Sequence, residues 1–326
     1  MNSILITGST GFIGASLILR LLENTESLTI IGLDNMNTYY DQSLKEYRLQ
    51  LIKNKASINP KHHYSFVKGS ISDCNLVNRI FEEYQFDIVV NLAAQAGVRY
   101  SIDNPDIYME SNMTGFYNIL EACRHYSVKH LVYASSSSVY GNNNKVPFSV
   151  DDCTDTPMSL YAVTKKSNEL MAYCYSHLYD MHTTGLRFFT VYGPVGRPDM
   201  AYFSFTDKLL KGETIQLYNY GNCSRDFTYI DDAIESLVRV MSDMPATPYT
   251  LYNIGGGKPV SLLDFVQTLH EELLLADVLP NGHNLKQHIH LVPMQLGDVV
   301  ANYADNSMLE RDFGFVPETT LKEGLR

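Results

Sequence analysis

The stretch Ser3–Gly14, SILITGSTGFIG, decides the fold. SILIT is a short apolar run of strand character, and TGSTGFIG follows it from Thr7 to Gly14. Gly8, Gly11 and Gly14 fit a glycine-rich turn that lets a dinucleotide pyrophosphate approach a helix N-terminus. The context that the motif requires is present, because GASLILRLLEN continues from it as an amphipathic helix. Phe12 and Ile13, at the mouth of that helix, are assigned to the same cofactor site.

Outward from this turn, β-rich apolar runs alternate with amphipathic stretches. LTIIGLD, YSFVKG, DIVVNLAA, KHLVYASS and TTGLRFFTVYG are expected as strands two to six. NLVNRIFEEYQ, Ile107–Tyr126 and Ser159–Tyr179 are expected as helices. The alternation predicts an α/β fold, a Rossmann-type doubly wound parallel sheet with helices on both faces. After Gly193 the pattern changes: Gly and Pro become frequent, and strands such as IQLYNYG and YTLYNIGG stand between short helices. Residues 1–193 are therefore expected as an NAD-binding domain. Residues 194–326 are expected mainly as a smaller C-terminal α/β substrate-binding lobe, with interleaving of elements between the two.

Composition sets outer limits. In 326 residues, 45% are hydrophobic and 19% charged, which suits a soluble globular protein. A formal net charge of −11 argues against a nucleic-acid partner, which would want a basic stripe. The five cysteines (74, 123, 153, 174, 223) are odd in number and never in CxxC spacing, a pattern of reduced thiols in a cytoplasmic protein. No signal peptide or membrane-spanning apolar run stands out, so no membrane partner is expected. His288 and His290 alternate along HIHLV without a third ligand close in sequence, so no metal site is expected.

Two further motifs carry chemistry. YAVTK places Tyr161 and Lys165 four apart, on one face of a helix. A neighbouring ammonium favours the phenolate and should pull the tyrosine pKa down from about 10. The product is a base able to take a proton from an alcohol while a nicotinamide takes the hydride. Asp34, at the end of the second strand, is placed to accept hydrogen bonds from the adenosine ribose, with Asn35 and Asn37 assisting. Its charge would repel a 2′-phosphate and no arginine lies beside it in sequence, which favours NAD over NADP. NLAAQAG offers Leu92, Ala93, Ala94 and Gln95 where the cofactor must pass close to the backbone.

The glycine-rich turn and YAVTK, in this order and with ASSSSVYG between them, resemble the extended short-chain dehydrogenase/reductase family of sugar-nucleotide enzymes. The resemblance covers essentially the whole chain. DNMNTYYDQSLKEYRL, NLAAQAGVRYSIDNP, RFFTVYGPVGRPDM, YNYGNCSRDFTYIDD and MQLGDV are similar to its UDP-glucuronate 4-epimerase branch. That resemblance implies an NAD-dependent isomerase acting on a UDP-sugar, with UDP-glucuronate and UDP-galacturonate as its pair. It implies Tyr161 as base, Lys165 on the nicotinamide ribose, and Ser136 on the sugar 4-oxygen, with Ser137 or Ser138 assisting. Asn112 and Ser135 join the cofactor site, as does Ile71 through its backbone. Ser70 stands where relatives often have an aspartate, which puts its adenine contact in doubt.

On the substrate side, the resemblance assigns Thr190 and Arg197 to the sugar carboxylate, Arg225 to the nucleotide end and Asp298 to its ribose. Arg99 and Tyr218 are further substrate candidates. Val195 replaces a larger residue such as tryptophan. Ser137 and Ser138 carry no acid, unlike the corresponding positions of the dehydratases and decarboxylases. Thr190 and Gln295 both depart from the UDP-glucose epimerase pattern. An epimerase of neutral UDP-hexoses, a UDP-glucuronate decarboxylase and a non-catalytic NAD sensor remain alternatives. IYMESNMTGFYNILEAC and YAVTKKSNELMAYCYSHLY carry apolar faces that the family uses for a homodimer through a four-helix bundle.

Overall fold

Alternation along each strand feeds two different cores. In β1 (Ser3–Thr7), Ile4 and Ile6 pack with Ile30 and Val90, whereas Leu5 packs with Ile31 and Val89 on the opposite face. A sheet buried on both faces is what parallel strands under two helical layers require. The computed structural model describes residues 3–294 and 301–326.

Chain order runs from β1 through α1 (Phe12–Asn24), β2 (Thr29–Asp34), α2 (Gln42–Ile58), β3 (His63–Lys68), α3 (Cys74–Glu83) and β4 (Ile88–Asn91). Short helices α4 (Tyr100–Asp103) and α5 (Pro105–Tyr108) lead through a π turn, Met109–Thr114, into α6 (Gly115–His125). Then come β5 (His130–Ser136), α7 (Leu160–Tyr179) and β6 (Thr183–Phe188). The large sheet has the order β10-β6-β5-β4-β1-β2-β3, with every pair parallel. Strand order reverses between β1 and β4, and ligands of such sheets bind outside the strand ends at that switch point.

The expected sixth strand divides in two. Its second part, β7 (Thr190–Tyr192), leaves the large sheet and pairs with β9 (Ser224–Tyr229). The break is a three-residue turn, in which Val191 N donates to Phe189 O at 3.0 Å. An unbroken apolar run hides such a turn. β10 (Tyr249–Ile254) returns from beyond residue 193 to complete the large sheet beside β6. Helix α9 (Ile230–Ser242) likewise shares the core that covers α1. Between β7 and β9 in the chain lie α8 (Ala201–Leu210) and β8 (Ile215–Leu217). β11 (Pro259–Ser261) and β13 (Ala301–Asn302) flank β9, and β12 (Ile289–Leu291) pairs with β8. His288 closes a 3-10 turn, so it does not share a strand with His290.

Helix α2 was not expected, for a physical reason. Its buried residues are Lys45, Arg48 and Ile52, so the face turned inward is largely cationic and gives no hydrophobic periodicity. Among the described residues, no helix is long and apolar enough to cross a membrane. No group of three or more His, Cys, Asp or Glu among them could hold a metal.

Candidate active site

The cofactor side is built from backbone. Gly8 has φ of +66°, and a Cβ added there would lie 2.8 Å from Ala93 N. One added at Gly14 would lie 2.2 Å from Gly8 O. Only glycine allows turn and helix to approach this closely. Thr7 Oγ1 donates to Asn91 Oδ1 at 2.7 Å and accepts from Ala93 N at 3.1 Å, locking two strand ends together beneath the turn. Above them opens a cleft of about 780 Å³ lined by Gly8, Gly11, Phe12, Ile13 and Gly14. Asp34, Asn35, Asn37, Ile71, Leu92, Ala93, Ala94 and Gln95 continue its wall.

Asp34 is buried, and its carboxylate accepts from Thr10 N at 3.0 Å and Met36 N at 2.8 Å. It therefore clips the glycine-rich turn to the end of β2. Although no arginine is its sequence neighbour, the fold brings a cation near. Lys45 lines the cleft and donates to Asn37 Oδ1 at 2.7 Å; burial pushes its pKa down while Asp34 opposes. Ser70 and Asn112 are not among the cleft-lining residues. Ser70 Oγ instead bonds Ser72 Oγ at 2.8 Å. Asn112 accepts from Gln95 N at 2.8 Å and donates to Thr164 Oγ1 at 3.0 Å, so it ties the loop after β4 to α7.

The candidate reacting groups meet where β5 ends beside the first turn of α7. Ser159 Oγ caps that helix by accepting from Ala162 N at 3.2 Å, which sets Tyr161 at its mouth. Ser135, Ser136, Ser137, Ser138, Tyr161 and Lys165 all line the cleft. Ser136 Oγ donates to Ser138 Oγ at 3.1 Å, and Ser137 Oγ accepts from Asn302 at 3.2 Å. Lys165 Nζ donates to Ala134 O at 2.8 Å, and burial brings its pKa down to about 8 against the opposing charge of Glu169. Glu169, one turn on, accepts from Ser135 Oγ at 2.7 Å and pairs with the buried Arg187.

The expectation for the tyrosine pKa needs correction. Burial pushes the Tyr161 phenol above its ordinary value, while the Ser136 hydroxyl and the Arg197 charge pull the other way. The sequence spacing placed Lys165 correctly on the tyrosine's helix, but its ammonium is engaged by the Ala134 carbonyl.

Thr190, Arg197, Arg99 and Arg225 line the same cleft, and the Arg197 charge acts on Tyr161. Arg197 forms a two-point pair with Asp199, Nε to Oδ1 at 3.0 Å, and Tyr39 donates to Asp199 Oδ2 at 3.0 Å. Arg99 lies over the Tyr218 ring at 5.1 Å, although Tyr218 itself is not a lining residue. Arg225 Nη1 donates to Ser224 O at 3.0 Å. Asp298 and Gln295 lie outside the described residues. Sequence reasoning missed Tyr39, Lys45, Asp199 and Asn302, which the fold adds to the wall. Tyr39 and Lys45 sit inside DNMNTYYDQSLKEYRL, a string that signalled kinship without assigning its members.

A dinucleotide cradle and a tyrosine beside a serine strand end, facing one cleft, define an enzyme that works on an alcohol next to a nicotinamide. Residues 4–255 match the NAD dependent epimerase/dehydratase family, and the chain belongs to that family, with NAD as its cofactor. Protein CapI of Staphylococcus aureus is 46% identical, with 99% of this chain and 96% of that protein aligned. A probable UDP-glucuronate 4-epimerase of Rhizobium meliloti (strain 1021) is 42% identical, over 98% of this chain and 94% of that protein. Among solved structures, the UDP-glucuronic acid 4-epimerase of Bacillus cereus, in complex with UDP-glucuronic acid and NAD, superposes with a TM-score of 0.87. It is 29% identical, over 99% of this chain and 96% of that one.

Proposed function

We propose that the protein interconverts UDP-glucuronate and UDP-galacturonate by epimerisation at C4. The observation that carries this is the placing of Tyr161 and Ser136 in one cleft with Thr190 and Arg197, while Ser137 and Ser138 put no acid there. Gly8, Gly11, Gly14 and Asp34 hold NAD, which supplies the acceptor and later the donor of one hydride. Tyr161 takes the proton of the sugar 4-hydroxyl and gives it back after the 4-keto sugar has turned over. Ser136 donates to the 4-oxygen as it becomes a carbonyl. Lys165 holds the nicotinamide ribose, and the Ser136 hydroxyl and the Arg197 charge oppose the burial that raises the phenol's pKa. Thr190 and Arg197 grip the sugar carboxylate, a guanidinium being suited to bind it through two N–H groups. Arg225, Arg99, Tyr218 and Asp298 attend the rest of the nucleotide sugar.

The same reading divides the chain near residue 193 into cofactor and substrate lobes, with β10 and α9 crossing back to the first. It pairs two copies through α6 and α7, whose exposed Tyr117, Val163, Leu170 and Tyr173 are apolar surface suited to a four-helix bundle. It places the enzyme in the cytoplasm, in keeping with five free cysteines, where it supplies UDP-galacturonate for surface polysaccharide. One observation favours a second reading, epimerisation of neutral UDP-hexoses: the Arg197 charge is already met by Asp199.

Incubation of the purified protein with UDP-glucuronate, without added NAD, separates these. UDP-galacturonate without UDP-pentose supports the proposal. A UDP-pentose as the main product points to decarboxylation, and turnover of UDP-glucose alone points to the neutral sugars.

A further inference from the structure

We infer that Asp199, Tyr39 and Arg48 form a brace that fixes Arg197, and that this brace keeps the oxidised uronate from losing its carboxylate. The inference rests on the proposed substrate. Oxidation at C4 makes a β-keto acid. Its loss of carbon dioxide breaks the C5–C6 bond and passes that electron pair into the C4 carbonyl, after which a proton adds at C5. The 4-keto pentose then takes back the hydride that the first step removed, giving a UDP-pentose with no further oxidant or reductant. The bond breaks readily only when it lies parallel to the carbonyl π system. A residue that holds the carboxylate away from that alignment must itself be held, because displacement of about 1 Å in a reacting geometry changes rates by about 100-fold.

Arg197 stands on the loop that follows β7, a poor place for accuracy unless the loop is stiffened from outside. Arg48, on α2, does this from behind. It is 1% exposed, and its Nε and Nη2 both donate to Val195 O, at 2.9 and 2.5 Å. Nη2 also donates to Gly196 O at 2.9 Å, and Nη1 to Thr10 O at 3.1 Å and Tyr40 Oη at 2.7 Å. All these acceptors are uncharged, and a guanidinium alone offers enough donors in one plane to serve them. Val195 has φ of +49°, a left-handed conformation that strains a β-branched residue. Its carbonyl and the next are the two that Arg48 grips, so the strained turn is held where it leads into Arg197. Through Thr10, the same guanidinium fastens this loop to the glycine-rich turn, giving cofactor seat and carboxylate seat one frame.

The side chain is fixed separately. Asp199 takes the Nε–Nη2 edge of Arg197 and Tyr39 donates to Asp199, while Tyr202 Oη accepts from the Arg197 backbone N–H at 3.0 Å and so holds the main chain. Asp199 is bonded to Nε and Nη2, not to Nη1, and the Tyr39 ring lies against the guanidinium at 5.9 Å. A ligand carboxylate therefore has the Nη1 end open to it, while the Asp199 charge repels it from the other edge. One approach is left, and with it a restricted orientation.

The test compares wild type with Asp199→Asn, Tyr39→Phe and Arg48→Lys, each incubated with UDP-glucuronate, with UDP-galacturonate, UDP-pentose and bound NAD all quantified. The expected result is a rise of about tenfold in the pentose-to-galacturonate ratio for Asp199→Asn, with NAD content unchanged, and a smaller rise for Tyr39→Phe. Arg48→Lys should raise the ratio as well; if it fails to fold, the other two variants decide. An unchanged ratio in Asp199→Asn, with both products slowed equally, overturns the inference while leaving the epimerase standing. A wild type that does not convert UDP-glucuronate at all overturns the parent reading and this one with it.

Discussion

On the candidate cofactor side of the cleft the backbone does the holding, whereas on the candidate substrate side buried charged side chains grip the backbone of distant segments. Gly8 and Gly14 leave no room for a methyl group, and Asp34 spans only from β2 to the adjacent turn. Across the cleft, Arg48 reaches from α2 to residues 195 and 196, and Asp226 Oδ2 on β9 accepts from Gly257 N at 3.0 Å and Ala304 N at 2.9 Å. The first kind of construction tolerates little change but needs few residues. The second lets substrate preference vary without disturbing the cofactor, because its parts are exchangeable side chains on a common frame.

Breaking the seam between the halves should have the largest effect. Tyr161→Phe should lower kcat by about 100- to 10,000-fold. NAD, quantified after denaturing the protein, should remain at wild-type content, since the ring still fills the same space. Loss of NAD in that variant would mean that the halves are not separable. Gly14→Ala strikes the cofactor half alone. Its new methyl would meet Gly8 O at 2.2 Å, so the protein should lose about 1–3 kcal/mol in denaturant unfolding and retain less NAD. An unchanged melting curve with full NAD would show that the turn can move.

Asp226→Asn strikes the candidate substrate half, because in either orientation its NH₂ faces backbone donors, Gly256 N at one oxygen position or Gly257 N and Ala304 N at the other. Leaving buried donors unmet costs about 1–3 kcal/mol, so KM for the UDP-sugar should rise about tenfold with NAD content unchanged. The smallest effect is a pH signature of the same residue. Burial raises the Asp226 pKa from 3.8 to about 6, with the three amide bonds opposing. The native state thus takes up this proton before the unfolded state does, and the group favours folding more as pH falls from about 6 to about 4. Asp226→Asn lacks that gain, so denaturant midpoints should move in favour of wild type across that window. Parallel curves would place the carboxylate in a wetter setting.

The residues that line the candidate cofactor half were largely legible in the chain because each part is local. Gly8 to Gly14 lie within one turn, Asp34 ends a strand, and Tyr161 and Lys165 are one helical turn apart. Helix α2 was not legible, since Lys45 and Arg48 occupy the face where apolar residues would have announced burial. The split between β6 and β7 was hidden as well, because a three-residue turn at Thr190 needs no Gly or Pro. Nor did spacing foretell that burial outweighs the Ser136 hydroxyl and the Arg197 charge at Tyr161.

The sequence by itself determined the parallel sheet, the glycine-rich turn and the tyrosine–lysine pair, because period-two and helical spacing are properties of neighbours along the chain. Only the tertiary structure decided that β10 joins the large sheet and α9 its core, and that Arg48 reaches Val195 across 147 residues of chain while also holding Thr10. Those contacts are made by side chains whose partners are remote, and their energies depend on burial that no local pattern specifies.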